Sequence, residues 1–160
     1  MIEAGNGKLR KLSILTSHQG YTKSGEKIDI EFHLKQESDG TKRMFELSSQ
    51  IANALDEGKV LIVDELDTHL HPDICAFILY QFHYNNPNNA QILFTSHSIS
   101  LLNKVNLLRR DQIWFTEKNI DGATEIFSLA SLKERDGENY LKRYEEGRYG
   151  AKPFIPQLQD

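Results

Sequence analysis

The stretch that decides the fold is Val60-Leu61-Ile62-Val63-Asp64-Glu65, and a second stretch of the same kind, Ile92-Leu93-Phe94-Thr95-Ser96-His97, follows it along the chain. Each is a short apolar run that ends abruptly in polar residues, which is typical of a buried parallel strand. In open α/β sheets, ligands bind at the carboxyl ends of such strands. The sequence therefore predicts that the chemistry lies where Asp64, Glu65 and His97 emerge together.

The segments around these two strands predict an α/β fold. Short loops that join strand, helix and strand favour a mostly parallel sheet with right-handed crossovers and flanking helices. The expected elements are strands over 59–64, 90–95, 112–116 and 124–128, a helix over 73–84 with Ile74, Phe77, Ile78 and Phe82 at helical spacing, a short helix over 98–104 and a helix near 137–146.

The first third of the chain has a different pattern. Residues 11–16 and 28–34 alternate apolar and polar side chains, and the Gly- and Lys-rich segment between them predicts an antiparallel hairpin. A helix with an apolar face is expected next, and Gly58 is expected to end it. We interpret residues 1–160 as a single mixed α/β domain.

Composition narrows the class of protein. Hydrophobic residues make up 39% and charged residues 26%, which is ordinary for a soluble globular protein. The net charge of −4 gives no general argument for nucleic-acid binding. The single cysteine, Cys75, excludes an internal disulfide, fits a reducing compartment and is expected on a buried helix position. The longest apolar run is too short to span a membrane, so a cytoplasmic protein is expected.

Adjacent carboxylates suit phosphoryl transfer. An acid at a strand end can hold Mg²⁺, and a second acid beside it can orient and deprotonate the attacking water. Because adjacent strand residues point to opposite faces, Asp64 is expected to serve the metal and Glu65 the water. The alternative interpretation is that both acids simply cap a strand at the surface.

Two further segments can contact a phosphate. His97 leaves its strand near the acids and can donate a hydrogen bond to a γ-phosphate, although a plain polar cap is the alternative. In Ser38-Asp39-Gly40-Thr41-Lys42-Arg43, a hydroxyl and backbone N–H groups precede a helix, where anions are favoured. The alternative is an ordinary N-cap formed by Ser38 or Thr41.

The order of these segments is more specific than any one of them. It resembles the C-terminal lobe of ATP-binding-cassette (ABC) type ATPases, which are P-loop NTPase-like, and most of all the soluble, AAA-labelled members of abortive-infection systems, relatives of the structural-maintenance-of-chromosomes heads. The likeness covers roughly residues 30–156. The segments that carry it resemble the signature motif (37–43), the Walker B strand and D-loop (60–72), the switch-histidine strand (92–98) and a closing Gly-Arg-Tyr-Gly-Ala segment (147–153).

The resemblance implies a division of labour in a head-to-tail dimer that holds ATP and Mg²⁺ between two protomers. On the signature side, it implies that Ser38 and Gly40 reach the γ-phosphate of the partner's nucleotide, with Lys42 in the same nucleotide-binding segment.

On the Walker B side, the resemblance implies that Asp64 serves Mg²⁺ and that Glu65 polarises the water. It further implies that His97 senses the γ-phosphate and that Asp67 communicates across the dimer.

One family element is missing from the sequence. A Walker A loop needs Gly, four residues, then Gly-Lys followed by Ser or Thr. Gly5-Asn6-Gly7-Lys8 is the only candidate, and Leu9 follows it, so we reject it. The chain is expected to be the C-terminal part of a longer ATPase, either a fragment or a natural half-subunit. As it stands, we expect it neither to bind ATP tightly nor to hydrolyse it.

Two functional hypotheses remain open at this point. The first is the catalytic lobe of an ABC-like ATPase that gates an effector, a nuclease or a toxin, in phage defence or a DNA-related process. The second is a non-enzymatic protein-interaction module that retains the fold. The missing Walker A favours the module, whereas the acid pair and His97 favour the ATPase, since a module has no need of acids at that position.

Overall fold

A computed structural model of the chain describes residues 2–4, 8–10, 13–103, 107–132 and 139–151. The chain divides into two compact units, 1–53 and 54–160. The elements in chain order are β1 Ile2–Ala4, β2 Lys8–Arg10, β3 Leu15–Tyr21, β4 Lys27–His33, α1 Asp39–Glu57, β5 Val60–Val63, α2 Pro72–Tyr84, β6 Gln91–Phe94, β7 Trp114–Lys118, β8 Thr124–Ser128 and α3 Tyr140–Glu145. Short 3₁₀ helices lie at Leu34–Gln36, Ile99–Asn103, Arg110–Gln112 and Leu129–Ser131.

The first unit contains the predicted antiparallel hairpin. Strands β3 and β4 pair from Leu15 opposite His33 to Tyr21 opposite Lys27, so the hairpin is confirmed. The first strand lies later than predicted, because Gly20 and Tyr21 are paired strand residues and not part of the loop. Gly20 fits there because a Cβ at this position would lie 2.5 Å from the Ile30 side chain. Residues 11 and 12 of the predicted strand lie outside the described part of the chain. Strands β1 and β2 form a second antiparallel pair.

Helix α1 ends where the sequence predicted. Gly58 follows its last residue with φ +66°, a left-handed conformation that glycine adopts without steric cost. A Cβ on Gly58 would lie 2.4 Å from the carbonyl oxygen of Asn88, so a side chain cannot be accommodated without a shift. The apolar face predicted for α1 includes three buried residues, Leu47, Ile51 and Ala54.

The second unit is built around a parallel pair of strands. Strands β5 and β6 run parallel in register from Val60 opposite Gln91 to Val63 opposite Phe94, and α2 lies between them in the chain. On β5 the side chains alternate, since Leu61 and Val63 are buried while Ile62 is 71% exposed. The buried residues of α2 are Cys75, Ala76, Ile78, Leu79 and Phe82.

The mostly parallel sheet is not found in the part of the chain that the structure describes. The strand pairs there are β1–β2, β3–β4 and β7–β8, all antiparallel, and the parallel pair β5–β6. The predicted third strand, β7, pairs with β8 and not with β6. The reason is local, because the short turn at 119–123 brings β8 directly back along β7, which is the typical geometry of a hairpin.

A second apolar cluster forms around β7 and α3. Its buried members are Ile113, Phe115, Leu129, Tyr140 and Tyr149. Trp114 is 58% exposed, because β7 is covered on the Phe115 face only. Among the described helices, none has the length and apolar character needed to cross a membrane.

Candidate functional site

The two acids lie in a turn that directly follows β5. The strand ends at Val63, and Glu65 has φ +49°, a left-handed conformation that is uncommon for a residue with a side chain. The expectation that Asp64 and Glu65 point to opposite faces of a strand is therefore wrong, because neither residue is part of the strand. The turn itself determines where each carboxylate points.

Thr95 joins this turn to the end of β6. Its hydroxyl donates to Asp64 Oδ1 at 2.6 Å and accepts the backbone N–H of Glu65 at 2.8 Å. Its own backbone N–H donates to the carbonyl of Val63, and its carbonyl accepts from the N–H of Leu66. Thr95 was not among the site residues predicted from the sequence. The sequence feature that could have indicated Thr95 is its hydroxyl group directly after Phe94, at the end of the second apolar run.

The carboxylate of Glu65 has two further neighbours. Thr68 Oγ1 donates to Glu65 Oε2 at 3.0 Å, and His97 Nε2 lies 3.7 Å from Glu65 Oε1. The backbone N–H of His97 donates to Asp67 Oδ1 at 3.2 Å. The His97 side chain is 86% exposed and that of Glu65 is 55% exposed. An ion pair between groups this exposed adds little to stability. Because both side chains are exposed, a ligand from solvent can reach them.

A buried residue fixes this turn to the core. Leu66 follows Glu65 directly and is 0% exposed, and the thiol of Cys75 lies 3.8 Å from its carbonyl oxygen. The prediction of a buried helical Cys75 is confirmed. Burial raises the pKa of the Cys75 thiol, and the negative charge of Asp67 raises it further. This thiol is therefore a packing group at neutral pH.

The loop that follows the acidic turn leads into α2 by ordinary helix capping. His71 Nδ1 accepts the N–H of Asp73 at 3.2 Å, and Pro72 occupies the first turn of the helix. His69 has φ +61°, a second left-handed residue in this loop. In this loop, His69 is therefore a turn residue and His71 is the N-cap of α2.

The signature-like residues belong to the first unit. Ser38 Oγ accepts the N–H of Thr41 at 3.1 Å and pairs with the Thr41 hydroxyl at 2.9 Å, which is the geometry of a helix N-cap. Gly40 lies in the first turn of α1, and Lys42 pairs with Asp39 at 3.2 Å. The N-cap alternative is thus realised in the structure, and an N-cap serine at a helix start is also compatible with anion binding.

Glu37 ties this segment to the hairpin. Its carboxylate accepts a hydrogen bond from the Thr16 hydroxyl and lies 2.6 Å from His18 Nε2, while its side chain is only 9% exposed. The hydrogen bond from Thr16 and then that with His18 lower the pKa of Glu37 below its usual value, and the charge of Lys42 acts in the same direction. No local pattern indicates this contact, since the partners are about twenty residues apart in the chain.

The closing segment has a packing role. Gly147 and Gly150 have positive φ, and between them Tyr149 is buried with its ring 5.5 Å from that of Phe115. Tyr144 donates its hydroxyl to the carbonyl of Ala151 at 2.8 Å. Residues 152 and 153 of this segment, like residues 5–7 of the rejected phosphate loop, lie outside the described part of the chain.

The acids that follow β5 and the histidine that follows β6 lie together at the carboxyl ends of these two parallel strands, the ligand-binding position of α/β proteins. Residues 7–103 match the family described as "AAA domain, putative AbiEii toxin, Type IV TA system". Because the match covers more than half of the chain, the protein belongs to this family. Its fold is of the P-loop NTPase-like α/β class, and the resemblance to AAA-labelled abortive-infection ATPases is confirmed. No curated protein and no solved structure matches the chain.

Proposed function

We propose that this chain supplies the acids and the histidine of an ATP-hydrolysing site. Asp64 is the Mg²⁺ ligand, Glu65 is the general base for the attacking water, and His97 contacts the γ-phosphate. The observation that carries this proposal is the meeting of these groups at one edge, where His97 Nε2 lies 3.7 Å from Glu65 Oε1. Membership of an AAA family supports it, since such domains have a nucleotide-binding, ATPase-like function.

The surroundings of Asp64 fit a metal that is shared with a nucleotide. Mg²⁺ is commonly bound through one or two carboxylates together with phosphate oxygens and water. Among the described residues no group of three or more His, Cys, Asp or Glu is placed to hold a metal, which argues against an all-protein cage. The hydrogen bond from Thr95 orients the Asp64 carboxylate at 2.6 Å. When bound, Mg²⁺ neutralises charge that develops on the phosphate oxygens.

The carboxylate of Glu65 is placed for proton transfer. In the proposed reaction the water oxygen forms a bond to the γ-phosphorus as the bond to the β–γ bridging oxygen breaks, which releases ADP. The water proton passes to the Glu65 carboxylate. Thr68 holds one oxygen of that carboxylate at 3.0 Å, and this orients the base before substrate arrives.

Other parts of the site are proposed to come from outside these residues. We assign the phosphate-binding loop to a Walker A lobe that covers the outer face of β5 and β6. The support is the exposure there of large apolar side chains, with Val60 60%, Ile62 71% and Leu93 63% exposed. Contiguous exposed apolar surface on paired strands is unusual unless another element covers it.

The proposed assembly rests on the resemblance of the signature-like segment 37–43 and of segment 60–72 to those of ABC-type ATPases. We propose that a second protomer binds head to tail, with Ser38, Gly40 and Lys42 facing its nucleotide and Asp67 at the dimer contact. The effector that the cycle gates is proposed to be a nuclease or a toxin acting in the cytoplasm in phage defence. The family description names a toxin of a type IV toxin–antitoxin system, and this favours a toxin over a nuclease as the effector.

The interaction module is the second candidate, and the surface of α2 favours it. Phe77, Tyr80 and Tyr84 are 56%, 44% and 56% exposed, and the rings of Tyr80 and Tyr84 lie 4.7 Å apart. Exposed aromatic groups at helical spacing are enriched at protein interfaces. This candidate predicts partner binding that does not depend on ATP or on Glu65.

The test combines binding with turnover. Titration calorimetry of the 160-residue chain with Mg-ATP should give no heat of micromolar binding, and binding should appear when the phosphate-loop lobe is supplied. In the natural full-length product, Glu65→Gln should keep ATP binding and reduce turnover by about 10²- to 10⁴-fold, the usual contribution of a general base. Glu31→Gln, on exposed β4, is the matched control and should leave turnover unchanged. Wild-type turnover in Glu65→Gln would remove Glu65 from the base role.

A further inference from the structure

A single hydroxyl contacts both acids of the proposed site. Thr95 Oγ1 lies 2.6 Å from Asp64 Oδ1 and 2.8 Å from the backbone nitrogen of Glu65. The geometry points to Thr95 as a positioning residue that holds the metal-binding acid and the water-activating acid in one fixed relation. The catalytic part of this inference rests on the proposed ATPase function, whereas the positioning part can be tested without nucleotide.

The hydrogen-bond chemistry defines the direction of both contacts. An ionised carboxylate only accepts, so the proton of the Thr95 hydroxyl is donated to Asp64. A backbone N–H only donates, so the N–H of Glu65 is accepted by a lone pair of the same oxygen. A hydroxyl to carboxylate bond of 2.6 Å is in the range of strong, charge-assisted hydrogen bonds. Among substitutions at this position, serine alone keeps a small hydroxyl on the same carbon.

The backbone of Glu65 needs such support. At φ +49° it occupies a region that residues with side chains rarely adopt, and such conformations persist when the surroundings hold them. Thr95 contacts both sides of this residue, because its hydroxyl accepts the N–H of Glu65 and its carbonyl accepts the N–H of Leu66 at 3.0 Å. Thr95 therefore holds the backbone conformation from which the Glu65 side chain projects.

Thr95 also couples the acids to the histidine. It lies two residues before His97, whose N–H donates to Asp67 at 3.2 Å, and its own N–H donates to Val63 at 3.1 Å. A displacement of the end of β6 would thus move the carboxylates and the histidine together. Loss of the hydroxyl should loosen the acids and leave the strand pairing in place.

The first test uses the 160-residue chain without nucleotide. NMR hydrogen exchange of the Glu65 amide is compared in wild type, Thr95→Val, Thr95→Ser and the control Thr116→Val on exposed β7. Thr95→Val should speed exchange at Glu65 by about 5-fold or more, the factor for one hydrogen bond of ordinary net strength. Thr95→Ser and Thr116→Val should stay at the wild-type rate. If Thr95→Val does not fold, Thr95→Ala serves in its place.

A metal probe gives a second readout on the same samples. Broadening of the Asp64 and Glu65 signals by Mn²⁺ should need about 10- to 100-fold more metal in Thr95→Val than in Thr95→Ser, the usual effect of losing a partner that orients a metal-binding carboxylate. An unchanged Glu65 amide together with unchanged Mn²⁺ broadening in Thr95→Val would overturn the inference.

Turnover in the natural full-length product separates this inference from the proposed function. Thr95→Val should lower kcat about 10- to 100-fold with KM for ATP unchanged, and Thr95→Ser should restore it. An inactive Glu65→Gln beside a fully active Thr95→Val would overturn the positioning role and leave the ATPase proposal standing. A fully active Glu65→Gln would remove Glu65 from the base role, and hydrogen exchange of the Glu65 amide would then decide the positioning role of Thr95.

Discussion

Replacement of Leu66 by alanine tests whether the core holds the acidic turn. Leu66 is 0% exposed and directly follows Glu65, so its side chain fixes the turn to the second unit. Removing a fully buried leucine side chain loses its transfer free energy and leaves a cavity, which together cost about 2.7–5 kcal/mol. Since a domain is stable by about 5–15 kcal/mol, we expect Leu66→Ala to remove a large part of the stability of this unit.

A nearby apolar residue provides the matched control. Ile62 lies four positions earlier but is 71% exposed, so most of its side chain already contacts water. Ile62→Thr keeps the branched Cβ that strands favour and should change the free energy of unfolding by about 0.5 kcal/mol or less. The contrast between these two substitutions therefore reports the effect of burial.

The assay is urea unfolding followed by tryptophan fluorescence. Trp114 is the only tryptophan of the chain and belongs to the same unit, so its signal reports on that unit. With a slope of about 1–3 kcal/mol per molar urea, this loss should lower the urea midpoint of Leu66→Ala by about 1–5 M. Equal losses in Leu66→Ala and Ile62→Thr would refute the reasoning, because the outer face of β5 would then be covered in the isolated chain.

Two further predictions concern Glu37 and Gly58. The pKa of Glu37 is lowered from the usual 4.5, so its contacts stabilise the fold fully above about pH 4.5 and are lost as the pH falls through the folded-state pKa. Glu37→Gln should therefore be destabilising at pH 7, with a difference from wild type that shrinks at pH 3.5 in urea unfolding followed by circular dichroism; a difference that grows on acidification would contradict this. Gly58→Ala should cost about 2 kcal/mol or more, since a left-handed alanine costs about 1–2 kcal/mol and its Cβ would also meet the Asn88 carbonyl. Gly25→Ala, left-handed but with open space around it, should cost less in the same thermal-melting assay, and equal losses would discount the contact with Asn88.

The central part of the fold could be predicted from local signals. Strands β5 and β6 are short apolar runs with polar ends, and both were placed within a residue or two of their observed bounds. Gly58 and Pro72 mark the end of α1 and the start of α2, because each residue type suits one helix end for a steric reason. These elements agree with the prediction because the apolar runs, Gly58 and Pro72 all indicate the same element boundaries.

The strand partners and the buried faces were harder to predict. Helix α2 carries apolar side chains on most sides, so periodicity could not show that Ile78 and Phe82 are buried while Phe77 is 56% exposed. On β7 the adjacent Trp114 and Phe115 are both aromatic, and only pairing with β8 decides which face is covered. A strand chooses its partner through contacts between distant residues, which a local pattern does not contain.

The candidate site shows the same division between local and distant information. Asp64, Glu65 and His97 could be proposed from the sequence because they directly follow predictable strands. Their mutual geometry could not, because it depends on the hydroxyl of Thr95, thirty-one residues from Asp64, and on the left-handed turn at Glu65.

That turn explains why two adjacent acids can serve one site. Had β5 continued through Asp64 and Glu65, the two carboxylates would point to opposite faces of the sheet. Because the strand stops at Val63 and Glu65 adopts φ +49°, its carboxylate comes within 3.7 Å of His97 while Asp64 remains bonded to Thr95. The shared site therefore requires the strand to end before the acids and a hydroxyl on the neighbouring strand to hold the turn.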